Sequence, residues 1–119
     1  MKIQSSLIKD TIELYQGNVL QKSIPFTFNA TASLQAVQRK RAELIKKHDA
    51  ADLEGTGRTF FELLGIIFGQ DVVAELDDWY KGDYMTMLND IGPILTDVIY
   101  PTIDAMTENL VKTRKRMKA

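Results

Sequence analysis

The stretch from Arg58 to Gln70 constrains this chain more than any other. Phe60, Phe61, Leu63, Leu64, Ile66, Ile67 and Phe68 leave almost no polar face. A helix that is apolar nearly all round is stable only when other elements cover most of its sides. In a chain of 119 residues, that cover has to come from one domain, because two halves would each bury too little surface. The spacing therefore predicts a central buried helix over 58–70, ended by Gly69. A short successor follows, capped by Asp71 and carrying Val72, Val73, Leu76 and Trp79. Lys81-Gly82-Asp83 closes that unit.

The flanks supply the cover. Ile12 and Leu14 alternate with Thr11, Glu13 and Tyr15, and Gln16-Gly17-Asn18 offers a tight turn. Ile24, Phe26 and Phe28 then share one face of a second strand, while Pro25 points the other way and puts that stretch on an edge or near a strand end. Residues 1–28 read as a β-hairpin region whose apolar face must rest on helices, or whose edge must meet another subunit. A first helix follows, capped by Asn29, Thr31 or Ser33, with Leu34, Val37, Leu44 and Ile45 at helical spacing. It ends near His48 to Ala51, and the glycine-bearing Asp52–Gly57 stretch reads as a loop. From Asp83 to about Met117 a helical rhythm runs through Tyr84, Leu88, Ile91, Leu95, Val98, Ile99, Ile103, Met106 and Leu110. A new helix starting at Pro93 fits that rhythm, and Pro101 predicts a kink or break. The expected fold is α+β, mostly α. The hairpin region is followed by a bundle of four to five helices over 29–111, then a basic tail over 112–119 that frays.

Several function classes are excluded. No apolar run approaches the ~20 residues that span a bilayer. Residues 1–16 lack the continuous apolar core of a secretory signal. There are no cysteines, which removes disulfides, thiolate zinc sites and cysteine nucleophiles together. A cytoplasmic protein is the simplest reading. His48 is the one histidine and has no company for a zinc site. No serine sits in a Gly-x-Ser-x-Gly context, and Gly55-Thr-Gly57 lacks the Gly-Lys-Ser/Thr of a phosphate loop. Glu75, Asp77 and Asp78 cluster before Trp79 but show no acid/base pairing signal. The expectation is a non-enzyme without cofactor or metal.

Charge is sorted along the chain. Residues 1–51 carry +4, residues 52–108 carry −10 and residues 109–119 carry +5. Asp83, Asp90, Asp97 and Asp104 recur every seven residues. That stripe reads as a solvated face, or as a rail that pairs with a basic helix such as Arg39–Lys47 of this chain or of a neighbour. Carboxylates about 10 Å apart along a helix axis cannot share one ion. The Lys112–Lys118 cluster suits a helix C-terminal dipole or docking on an acidic protein surface. Nucleic-acid contact by that cluster lacks interleaved aromatics and a surrounding motif. Phe60, Phe61, Phe68, Trp79, Tyr84 and Met87 exceed what a short chain easily hides. With Asp90 and Asp97 of the stripe they are the candidate protein-binding residues.

Two stretches carry a resemblance. The strand–turn–strand that ends Ile24-Pro-Phe-Thr-Phe-Asn-Ala and continues through Leu34-Gln-Ala-Val resembles the start of tail assembly chaperones of long-tailed phages and prophages of Gram-positive hosts. Tyr84-Met-Thr-Met-Leu-Asn-Asp-Ile-Gly-Pro-Ile-Leu, followed by Tyr100-Pro-Thr-Ile, is also similar to that group. The likeness spans most of the chain and rests on general pattern. It implies a small cytoplasmic protein of the bacterial host that binds the tape measure protein before the tail tube polymerises, that self-associates as a homo-oligomer, and that has no catalytic residues. A structural part of the tail or head–tail joint is the alternative partner reading. A nucleic-acid-binding regulator that uses the basic tail is a second.

Overall fold

The computed structural model describes residues 7–118. The first six residues of the expected hairpin region, and Ala119 of the expected basic tail, lie outside the described residues.

β1 (Leu7–Gln16) and β2 (Val19–Asn29) pair antiparallel, with Ile8 opposite Phe28 and Ile12 opposite Ile24. Because side chains alternate along a strand, Ile12, Leu14, Ile24, Phe26 and Phe28 fall on one face, and all five are buried. Gly17 makes the turn at φ +62, a conformation that glycine adopts without steric cost. The register slips near the turn, where Leu14 faces Lys22 and Tyr15 faces Leu20. Pro25 sits opposite Thr11 on the exposed face. Among the described residues the sheet has two strands, so both are edges and proline is tolerated. The hairpin face rests on the helices, as expected. The Phe26 ring meets Phe68 edge-on at 4.6 Å, and Lys22 reaches Glu75 at 3.4 Å.

Asn29 caps α1 (Ala30–Asp49) by accepting a 3.1 Å hydrogen bond from the Ala32 N–H. The loop expected over Asp52–Gly57 is instead the start of α2 (Leu53–Phe68). Asp52 is the cap, and its carboxylate accepts from the Gly55 N–H at 2.8 Å. The two glycines serve close approach here. A Cβ on Gly55 would lie 2.3 Å from Asp52 Oδ2, and one on Gly57 would lie 3.1 Å from Tyr84 Cβ. As expected, α2 is central. It touches α1, α3 (Gln70–Tyr80), α4 (Tyr84–Ile94) and β2, and buries Phe60, Leu63, Leu64 and Ile67 almost completely. Gly69 ends α2 at φ +88. Gly69 itself, not Asp71, holds the cap position of α3, and Asp71 lies in the first turn, where its charge suits the helix dipole.

The last three helical pieces form one continuous run: α4, a π-helical segment over Leu95–Ile99, and α5 (Tyr100–Lys118). Pro93 is in the last turn of α4, so no new helix starts there. The irregularity falls between the two prolines. The Tyr100 N–H donates to Leu95 O, five residues back. A proline ring crowds the carbonyl four residues earlier. For Pro101 that is Asp97, inside the widened stretch. The wider turn also sets the packing. Met87, Ile91, Leu95, Ile99 and Ile103 are all buried, one every fourth residue. In a regular α-helix a four-residue step drifts by about 40°. The π segment offsets that drift and keeps all five on the core. Val98 thereby leaves the seam and is 40% exposed.

The basic tail, expected to fray, is helical to Lys118. Every residue from 108 to 117 is exposed. The radius of gyration is 16.2 Å and the long axis is 55 Å, against about 13.5 Å expected for a compact chain of this length. The long strands and this projecting helix end account for the difference.

Candidate protein-binding groove

Three elements meet on one side of the molecule without filling the space between them. Leu44 and Ile45 come from α1, Phe60 from α2, and Leu88 and Pro93 from α4; Tyr100 closes one end. The groove encloses about 640 Å³. Its local causes are legible in the residues. Gly57 lets α4 approach α2 closely, and there Phe61 stacks on Tyr84 with ring centres 4.7 Å apart and planes 21° apart. Farther along the same two helices Phe60, Leu88 and Gly92 line the gap. Ile45 is 54% exposed, so α1 presents an apolar edge to the groove.

One wall is held by charge. Arg41 of α1 lies over the Tyr100 ring, 4.2 Å from its centre, and pairs with Asp104 at 2.8 Å. Tyr100 and Asp104 are one helical turn apart, so a single guanidinium grips both. Burial pushes the Tyr100 hydroxyl above its ordinary value, and the Arg41 charge opposes that. At the far rim His48 and Asp49 are both exposed, with 3.9 Å between them. The groove's floor is hydrocarbon and its rim is polar, the arrangement that recognises an amphipathic helix.

The eight candidate residues from the sequence do not form one surface. Phe60, Phe68 and Met87 are buried, at 1, 5 and 0% exposure; Phe60 alone among them lines the groove. Phe61 and Tyr84 are half-buried against each other. Trp79 lies in a second cleft beside β1. Asp90 is exposed and accepts a 2.9 Å hydrogen bond from the Tyr80 hydroxyl. Burial, helped by that bond, raises the Tyr80 hydroxyl well above its ordinary value. Asp97 is exposed beside the Thr96 hydroxyl.

The acidic stripe splits into separate tasks. Asp83 caps α4, accepting from the Thr86 N–H and hydroxyl. Asp104 takes Arg41, which is the pairing with the basic helix of the same chain that the spacing suggests. That helix also meets the acidic middle through Lys40 to Glu62 and Lys47 to Asp52.

Sequence reasoning missed Leu44, Leu88, Pro93 and Tyr100 as groove residues. The available signal was Ile45, an apolar neighbour of Leu44 that one helix face cannot bury. Among the described residues, no group of three or more His, Asp or Glu is placed to hold a metal, and no helix is long and apolar enough to cross a membrane. No protein-family model matches this chain, and neither a curated protein nor a solved structure matches it.

Proposed function

We propose that this chain is a non-enzymatic binding protein that holds an apolar helix of another protein in the groove between α1, α2 and α4. The observation that carries this reading is the groove itself: about 640 Å³ floored by hydrocarbon. A concave, mostly apolar pocket of that size with a few polar groups at its margin is the usual form of a binding site. Other large apolar side chains also stay at the surface, Leu53 at 68% and Leu110 at 54% exposure among them.

The specific form we propose is a tail assembly chaperone acting in the bacterial cytoplasm. Its client is the tape measure protein, a long helical chain that needs its apolar stripe covered until the tail tube encloses it. The pattern resemblance over Ile24–Val37 and Tyr84–Ile103 supports this form, and the groove supplies a surface of the right chemistry. Charge around the groove keeps such a surface from aggregating.

The test is a fluorescence-anisotropy titration with an amphipathic helical peptide taken from the tape measure protein. Wild-type protein binds it. Ile45→Asp weakens binding at least about tenfold with an unchanged melt, because that side chain is more than half exposed. Equal binding by both proteins rejects the groove. Purified particles that retain the chain would make it a structural part of the tail and reject the chaperone role.

A further inference from the structure

We infer that copies of this chain join head to tail, the basic end of α5 from one copy entering the cleft between β1, α3 and α4 of the next. The inference rests on the reading that the chain self-associates, and it names the interface.

The cleft encloses about 360 Å³ beside the free edge of β1. Trp79, Tyr80 and Ile94 line it, and Glu13 and Asp90 stand at its sides. Each carboxylate already accepts a tyrosine hydroxyl at 2.9 Å, Glu13 from Tyr15 and Asp90 from Tyr80. Among the described residues neither has a cationic partner within ion-pair distance, although Glu62, Glu75 and Asp104 all do. Two uncompensated carboxylates beside aromatic faces are a receptor for Lys or Arg.

The complementary half is on the same molecule. Arg114, Lys115 and Arg116 lie on the exposed end of α5 and have no ion pair among the described residues; Lys112 has only Glu108 of its own helix, at 3.5 Å. Beside them Leu110 and Val111 are 54 and 47% exposed, matching the exposed ring of Tyr15 at the cleft mouth. The main packing of α5 is on α1 and the π segment, and every residue from 108 to 117 is exposed. The acid and the base therefore meet only between molecules. Two different surfaces in contact generate a ring or a filament and not a closed two-fold dimer.

The experiment uses two full-length charge-reversed variants. One carries R114E, K115E and R116E; the other carries E13K and D90K. All five side chains are exposed, so both variants keep the wild-type helical circular dichroism. In sedimentation velocity at low salt the wild type associates, and each variant alone sediments as a single 13.5 kDa chain. An equimolar mixture associates again, because the reversed tip now matches the reversed cleft and the native tip matches the native cleft. Raising the salt weakens wild-type association at least about tenfold, as screened charge pairs require. A wild type that stays a single chain overturns self-association and this interface together. A wild type that associates while either variant also associates alone, or a mixture that stays apart, overturns the interface and leaves self-association standing.

Discussion

Val98 and Ile99 are neighbours inside the π segment, and a heptad reading puts both in the apolar seam. The structure separates them: Ile99 is 0% exposed and Val98 is 40% exposed. Truncating each to alanine measures that separation. Ile99→Ala removes three carbons from a filled core. At about 0.8 kcal/mol per methylene the transfer loss is about 2.4 kcal/mol. The cavity left behind raises the total to about 3 kcal/mol even after the better helix propensity of alanine is counted. Val98→Ala removes two carbons that are only about 60% covered, a loss of about 1 kcal/mol. Alanine recovers about half of that through propensity, leaving a net cost of about 0.5 kcal/mol. Urea melts at one fixed protein concentration read both values. The difference of about 2.5 kcal/mol corresponds to a gap of about 10 °C in Tm for a domain of this size. Equal costs at the two positions, or a larger cost at Val98, would refute the π register and the four-residue core ladder built on it.

Three further predictions follow from other parts of the fold. Gly55→Ala destabilises by about 1 kcal/mol in urea, despite the helix propensity of alanine, because the added Cβ displaces the Asp52 cap; a stabilised variant would contradict the cap. Arg41→Met costs about 1 kcal/mol through the loss of the partly exposed Asp104 pair and the Tyr100 stacking; a double-mutant cycle with D104N that shows no coupling would count against it. Hydrogen bonds from the Thr86 hydroxyl and N–H hold Asp83 below its ordinary carboxyl value of 3.8. A depressed carboxyl contributes stability above the unfolded value and loses it as pH falls through the folded one. Asp83→Asn therefore flattens the stability–pH curve below about pH 4, and an unchanged acid limb would remove Asp83 from the balance.

What the sequence made legible was whatever a local pattern determines. Alternation at Ile24, Phe26 and Phe28 identified the buried face of the hairpin, and a glycine at φ +88 stops α2 where Gly69 stands in the sequence. The nearly all-apolar run over 60–68 marked the central helix. The misreadings share one cause, a residue whose local preference was overruled by its neighbours. Gly55 and Gly57 signal a loop in isolation, yet the Asp52 cap and the approach of Tyr84 make them helical. Pro93 suggests a helix start, yet it sits in the last turn of α4, and the irregularity expected near the two prolines is the π turn between them. The groove was legible only through Ile45. It is a gap between three helices, and a gap has no residue of its own. The candidate aromatics were chosen by size, and the largest apolar side chains are those that a core takes first, which is why Phe60, Phe68 and Met87 are inside.

A methyl NMR titration with an amphipathic helical peptide of the tape measure protein tests most directly whether the chain exists to cover another protein's apolar helix. Shifts confined to Leu44, Ile45 and Leu88, with the hairpin-core methyls of Ile12 and Ile24 unmoved, are the predicted result. A spectrum that does not change, or changes centred on the hairpin turn at Val19 and Leu20, would contradict it.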